Sequence, residues 1–217
     1  MAIPGFYSLA AFYDILIKTD VRFHLSRYSE YSGMADGVFF ESQLASPLWT
    51  VDVTLDVDTL QNQREALAKL RSMDGSRVPF FFCDPMSEYP KNDPTGSIMG
   101  SDDKTIVSIS SDRREITLSG FPANYKFTYG DKLQINYGSP TKYAFHEVSV
   151  EATANSGGTV VLTVTPAISP NVTPSATPRF KRPACFMVLS PESFDPGRMV
   201  QNIISGGGFK AVQRKKR

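Results

Sequence analysis

The residues that could carry out chemistry are few, and their spacing matches no common catalytic or metal-binding pattern. The sequence has two histidines, His24 and His146, and two cysteines, Cys83 and Cys185. They are accompanied by no Gly-x-Ser-x-Gly nucleophile turn, no His-x-x-x-His helix and no second His or Cys at metal-ligand spacing. We therefore interpret both histidines as surface or core residues, and we predict no catalytic residue, no cofactor and no bound metal.

Two pairs of carboxylates could act as acid and base partners or as ligands of a hard metal ion. Asp102 and Asp103 are adjacent, and Asp52 and Asp56 occupy polar positions of an alternating segment. Neither pair has the spacing of a calcium loop, and solvent-facing strand positions are ordinary places for carboxylates. Both pairs are therefore predicted to be solvated side chains.

The cysteines and the first residues predict the compartment in which the chain folds. Cys83 and Cys185 each lie in an apolar, strand-like run, which favours two buried free thiols over the alternative of a disulfide between them. The apolar segment 1–16 lacks a basic start and is interrupted by Asp14, so neither a signal peptide nor a membrane-spanning segment is predicted. We expect folding in a reducing cytoplasm.

An alternating strand followed by an amphipathic helix is the clearest structural pattern. Apolar and polar residues alternate over 49–57, as is typical of a strand with one solvated face. A helix is predicted over 58–73, with Asp58 as its N-cap and with Leu67 and Leu70 on its buried side. The junction between them has no glycine, whereas a phosphate-binding loop would be glycine-rich, so an anionic cofactor is disfavoured there.

The remaining pattern predicts two β-rich units. The N-terminal unit, residues 1–84, would contain half-buried strands at 21–28 and 37–41 besides the alternating strand, the helix and a run of phenylalanines. A connection rich in proline and glycine follows at 85–103. Six short strands over 104–190 then indicate a small antiparallel barrel or sandwich. The predicted fold class is mainly β (α+β), with one helix packed on a sheet.

Both ends of the chain are candidate interaction segments. Residues 1–18 carry more aromatic surface than a free arm should expose, which indicates either an N-terminal arm packed on the body or one that binds a partner. Residues 191–217 are predicted to be an arm that ends in four consecutive basic residues. Mobile ends of this kind are typical of a subunit that binds its neighbours through segments that become ordered on assembly. For the basic tip, a frayed and solvated terminus is the alternative. The candidate interaction residues are Phe6, Tyr7, Phe12, Tyr13, Arg214, Lys215, Lys216 and Arg217.

Several segments together resemble a known family. The tryptophan-led strand, the helix end Leu-Arg-Ser-Met-Asp-Gly and the run Phe-Phe-Cys-Asp-Pro resemble the first domain of bacteriophage tail-tip ring proteins of the distal tail or baseplate hub type. The later segments that resemble the β-barrel insert of phage minor tail proteins are Leu-Ser-Gly-Phe-Pro, Gly130-Asp131-Lys-Leu-Gln-Ile, His146-Glu147-Val and Gly158-Thr-Val-Val-Leu-Thr-Val-Thr-Pro. The resemblance covers about residues 20 to 190, and its motifs are structural.

The resemblance implies a structural virion protein rather than an enzyme. Members form rings, commonly sixfold, that continue the tail tube. We therefore expect copies of this chain in a ring, with a hexamer favoured, in contact with the tail tube protein and with hub or baseplate proteins. The basic tip would face an acidic neighbour or the path of the phage DNA, and assembly would take place in the cytoplasm of the bacterial host.

Two other classes of function stay open at this point. A carbohydrate- or receptor-binding β module of the tail would need an exposed aromatic or acidic cleft. A tail-associated hydrolase would need a constellation of carboxylates or of His and Cys.

Overall fold

The computed structural model describes residues 5–33, 37, 39–56, 58–73, 75–101, 103–200 and 203–215. The protein is mainly β, with 46% of residues in strands and 6% in helices, which confirms the predicted fold class. A 3-10 turn spans Tyr13–Ile15, and the one α-helix of the described ranges, α1, spans Leu60–Ser72. The strands are β1 (Lys18–Gly33), β2 (Phe39–Leu55), β3 (Asp58–Thr59), β4 (Phe80–Cys83), β5 (Thr105–Ile109), β6 (Glu115–Ser119), β7 (Lys126–Phe127), β8 (Lys132–Tyr137), β9 (Lys142–Val148), β10 (Ala152–Thr153), β11 (Val160–Thr165), β12 (Thr177–Arg179), β13 (Ala184–Leu189), β14 (Arg198–Val200), β15 (Ile203–Ser205) and β16 (Gly208–Gln213).

The first sheet has five antiparallel strands in the order β1-β2-β16-β13-β4. The predicted alternation is observed over residues 49–55 of β2, whose apolar positions are buried in the same hydrophobic core as the apolar side of α1. This core excludes water from one face of the sheet, and its burial is the main stabilising term of the unit. The β2 and α1 residues in it are Trp49, Val51, Val53, Leu55, Ala66, Leu67, Leu70 and Met73. Val57, the last position of the predicted pattern, lies outside the described residues.

The strands that complete this sheet correct the predicted unit boundaries. The sequence pattern predicts residues 184–189 in the second unit, whereas β13 lies between β16 and β4 in the first sheet. It predicts residues 208–213 in a C-terminal arm, whereas β16 pairs with both β2 and β13, and its Phe209 and Ala211 are buried. A fully apolar run is compatible with the centre of any sheet, so periodicity alone does not reveal which sheet it joins.

The second unit is a six-stranded antiparallel sheet in the order β12-β8-β9-β11-β6-β5. Residues of its end strands β12 and β5 approach within 8 Å, so the sheet curls around a separate hydrophobic core. The proline- and glycine-rich segment packs on this core through Met99 and is held by the buried Asp93. The Asp93 carboxylate accepts the backbone N–H groups of Ile98 (3.1 Å) and Met99 (2.7 Å).

The start of the helix differs from the prediction by two residues. Asp58 and Thr59 form β3, which pairs with β15 in a small three-stranded sheet with β14, and α1 begins at Leu60. Asp58 is therefore not the residue that flanks the helix. The strand pairing from residues 203 and 204, distant in sequence, overrides the local capping preference.

Strands β1 and β2 form one long antiparallel hairpin rather than the separate short strands predicted near 21–28 and 37–41. Pairing runs from Lys18 opposite Leu55 to Gly33 opposite Phe39, with register shifts around Tyr28. Such bulges bend a strand and increase its local twist. The hairpin thus continues well beyond the part that the rest of the sheet covers.

Candidate interaction surface

The N-terminal aromatic residues predicted to form an exposed arm are mostly in the core. Tyr7, Phe12 and Tyr13 are all less than 9% exposed, so the prediction that they form an interaction surface is wrong. Tyr7 bridges β4 because its N–H donates to the Pro79 carbonyl (3.0 Å) while its own carbonyl accepts the Phe81 N–H (3.0 Å). Backbone pairing and aromatic burial together fix the segment on the sheet.

Phe6 is the member of this group that keeps an exposed face, at 39% of its surface. Its ring packs edge-on against Phe81, with 5.7 Å between the ring centroids, and also contacts Phe186. It therefore covers the outer side of the sheet rather than extending away from it.

The described part of the basic tip lies against the body. The Arg214 N–H donates to the Phe186 carbonyl (2.8 Å), and its guanidinium donates to the Arg77 carbonyl (3.4 Å). The Lys215 Nζ donates to the Pro47 carbonyl (3.0 Å). Lys216 and Arg217 lie outside the described residues, and contact of the tip with an acidic neighbour or with DNA stays a prediction.

The two cysteines are buried and free, which confirms the favoured interpretation. Cys83 lies opposite Ala184, and Cys185 lies opposite Phe82. Residues directly opposite each other share a face of the sheet and successive residues alternate, so the two thiols point to opposite faces. Burial raises the pKa of the Cys83 thiol to about 12 and that of Cys185 well above its usual value, so both stay in the unreactive thiol form at neutral pH.

The distal half of the long hairpin is the surface that sequence reasoning missed. We call residues 28–33 and 39–45 the hairpin tip. Beyond the residues 50–54 that pair with β16, no third strand lies beside the hairpin within the described ranges. The large apolar side chains that the tip exposes, by 43–75% of their surface, are Tyr28, Tyr31, Phe39, Phe40 and Leu44.

An isolated two-stranded hairpin is marginally stable in water, and its unpaired edges are templates for another chain. Exposed apolar patches of this kind mark interaction sites. The sequence signal was present in the aromatic residues on both sides of Gly37, but only the pairing of β1 with β2 brings them together.

A buried ion cluster joins the two sheets. Lys132 at the start of β8 is 6% exposed, and its Nζ lies 3.6 Å from Oδ2 of Asp84, which follows β4. The same ammonium group contacts the carboxylate of Glu147 and lies 4.4 Å above the ring of Trp49. The cluster neutralises the buried carboxylate of Asp84 and connects both cores.

A pocket of about 420 Å³ opens between the two sheets, and we call it the inter-sheet pocket. It lies between Ser46 and Gln213 of the first sheet and the second sheet's strand β9 with the loop that follows β11. Arg113 holds that loop, since its guanidinium donates to the carbonyls of Ile168 (3.3 Å) and Val172 (2.8 Å). The apolar residues that line the inter-sheet pocket include Tyr143, Phe145, Pro166, Ile168 and Pro170. The basic residues Arg113, Lys142 and Lys215 also line it.

His146 is a buried histidine in the wall of this pocket. Its Nδ1 lies 2.8 Å from the Pro166 carbonyl and therefore carries the proton, while Nε2 has no hydrogen-bond partner among the described residues. Burial lowers the pKa of His146 to about 4. The side chain is therefore neutral at pH 7, as expected for a core histidine.

We expect His146 to make the protein less stable as the pH falls. Between pH 6.5 and pH 4 the unfolded chain binds a proton at this residue and the folded chain does not, because the pKa is lowered to about 4 in the folded state. This difference removes up to about 3 kcal/mol of stability on acidification. The measurement is the free energy of unfolding by denaturant from pH 7 to pH 4, in the wild type and in His146→Leu, which should lose that part of the pH dependence.

The control for this prediction is His24→Gln, because His24 is exposed on the first sheet. This variant keeps His146 and should therefore keep the loss of stability that burial of a neutral His146 causes on acidification. If His146→Leu and His24→Gln give the same pH profile, burial of a neutral His146 does not contribute to stability.

Comparisons with protein-family models and with curated proteins found no match. Of the helices that the structure describes, none has the length and apolar character needed to cross a membrane. Among the described residues no group of three or more His, Cys, Asp or Glu side chains is placed to hold a metal ion.

Proposed function

We propose that the protein is a structural component of a bacteriophage tail, which forms an oligomeric ring at the distal end of the tail tube and connects the tube to the hub, the baseplate and the receptor-binding parts. The motifs that resemble tail-tip ring proteins support the class of protein. The hairpin tip is the observation that carries the proposal, because it combines exposed apolar side chains with unpaired strand edges.

The tip favours a protein partner that supplies both apolar contacts and backbone hydrogen bonds. The unpaired backbone N–H and C=O groups of the strand edges form hydrogen bonds either with another strand or with water. Water, however, does not offset the unfavourable exposure of the apolar side chains Phe39 and Phe40. The charged residues of the tip, Glu30 and Glu41, are both acidic, which disfavours nucleic acid at this surface. A second copy of the same chain is always present as a partner. When the same head-to-tail contact repeats from subunit to subunit, the assembly closes into a ring if the rotation between neighbours allows it.

This role requires no catalytic residue, cofactor or metal. In the proposed assembly, the ring is a homo-oligomer, with a hexamer favoured, and stacks on the tail tube protein on one side and on hub or baseplate proteins on the other. The protein would be part of the virion and would assemble in the bacterial host cytoplasm.

The test is the size of the purified protein at micromolar concentration, measured by light scattering and by electron microscopy. We expect closed rings for the wild type. The double variant Phe39→Ser/Phe40→Ser should be monomeric, because both side chains are more than half exposed and contribute to assembly rather than to the fold.

The matched control is Tyr129→Ser/Val161→Ser, which removes two exposed apolar side chains from the second unit. It should assemble like the wild type. Compact wild-type monomers at every concentration, with and without a tail tube partner, would contradict the proposal and favour a receptor-binding module.

A further inference from the structure

We propose that the hairpin tip of one copy docks into the inter-sheet pocket of the next copy. This inference rests on the proposed ring and names its contact. The juxtaposition that motivates it is an exposed apolar strand pair and an unfilled, largely apolar pocket on the same chain, with opposite charges at their margins.

The pocket is of a suitable size and lining for the tip. Its volume of about 420 Å³ lies within the range of pockets that bury a ligand, about 300–1,000 Å³. Aromatic side chains gain most from burial against such walls, because each buries a large apolar area and contacts neighbouring rings edge-on. Phe39 is 75% exposed and can present its ring to Tyr143 and Pro170 of another copy, which line the pocket and keep part of their surface exposed.

The charges at the two margins are complementary. Lys142 and Lys215 line the pocket. The Lys215 Nζ donates to the Pro47 carbonyl (3.0 Å), and no carboxylate among the described residues lies within ion-pair distance of either lysine. Asp112 also lines it, but its carboxylate already accepts the Ser110 hydroxyl (2.5 Å) and the Arg114 N–H (3.2 Å) of its own turn.

On the tip, Glu41 projects from the same side of β2 as Phe39, because residues two apart in a strand share a face. Its carboxylate accepts the Tyr31 hydroxyl at 3.4 Å and forms no ion pair with the described residues. Docking of Phe39 in the pocket would therefore bring Glu41 towards a lysine, and opposite charges at the margin of a contact direct its register.

Phe39 and the pocket are separated along the same strand. The pocket reaches Ser46 in the middle of β2, and Phe39 lies seven residues before it in β2, roughly 20 Å away at the rise of an extended strand. The Phe39 side chain does not reach the pocket of its own chain across this distance. The contact is therefore head-to-tail, which is the type of contact that generates rings or filaments.

A complementation experiment tests this geometry. Ala167 lies exposed at the pocket margin, so Ala167→Trp should block the pocket without disturbing the core. The blocked variant keeps an intact tip, and the Phe39→Ser/Phe40→Ser variant keeps an intact pocket. Each alone should be monomeric, and a mixture of the two should form a one-to-one dimer that grows no further, as measured by analytical ultracentrifugation. Val161→Trp is the control and should assemble as the wild type does.

A charge exchange tests the register. Glu41→Lys and Lys142→Glu should each weaken assembly about tenfold, and the double variant should recover most of that loss. Assembly of Ala167→Trp like the wild type, a mixture that stays monomeric, or a double variant no better than either single variant would overturn the contact.

The outcomes separate this contact from the ring itself. Wild-type rings together with normal assembly of Ala167→Trp would contradict the docking contact and leave the ring standing. A one-to-one dimer in the mixture together with open chains in the wild type would support the contact and contradict the ring.

Discussion

Lys132→Met is expected to lower the free energy of unfolding by about 3–5 kcal/mol, because it leaves the buried carboxylate of Asp84 without its cation. Methionine keeps most of the volume of the lysine stem, so the loss reports the charge rather than a cavity. The measurement is chemical denaturation at pH 7.

Two further variants make this prediction specific. Lys210→Met removes an ion pair with Asp52 in which the lysine side chain is 65% exposed, and it should cost no more than about 1 kcal/mol. Lys132→Met/Asp84→Asn removes both charges of the buried pair and should recover most of the loss. If Lys132→Met is as mild as Lys210→Met, the cluster does not connect the two cores.

Trp49→Ala is expected to cost about 3–5 kcal/mol, the usual range for truncation of a buried aromatic side chain. Trp49 is 3% exposed and its ring packs against Phe23 and Phe145, with centroid distances of 5.4 and 5.6 Å. The indole N–H also donates to the Phe145 carbonyl of β9 (2.9 Å). The residue therefore connects the first sheet to the second.

Trp49→Phe separates the two contributions. It keeps an aromatic ring and leaves the Phe145 carbonyl without its donor, so it should cost about 1–3 kcal/mol. Unfolding is best followed by circular dichroism, since Trp49 is the one tryptophan of the chain and both variants lose its fluorescence. Equal losses for the two variants would mean that the hydrogen bond, not the packing, carries the effect of Trp49.

The two predictions should not be additive. The Lys132 ammonium lies over the Trp49 ring, so the variants share a contact. Residues in direct contact typically show interaction energies of about 0.5–3 kcal/mol in double-mutant cycles. We expect Trp49→Ala/Lys132→Met to cost less than the sum of the single losses.

The features that depend on neighbouring residues are predictable from the amino-acid sequence. The alternation of β2 and the apolar side of α1, with Leu67 and Leu70 buried, follow from the periods of a strand and a helix. The mainly β class and the burial of both cysteines follow from apolar runs of strand length. These properties are encoded within a few residues, so no knowledge of the rest of the fold is needed.

Which strands lie side by side, and which aromatic residues stay exposed, depends on contacts between distant parts of the chain. Periodicity indicates which side of a strand is apolar, but it does not identify the partner strand. The sequence pattern therefore predicts an arm where β16 lies at the centre of a sheet. Aromatic residues near the N-terminus and in the hairpin are chemically alike. Tyr7 and Phe12 are buried because β4 and the core lie beside them, whereas Phe39 and Phe40 are exposed because no strand or helix of the described chain reaches the tip. Long-range pairing, rather than residue type, separates the core of this protein from its interaction surface.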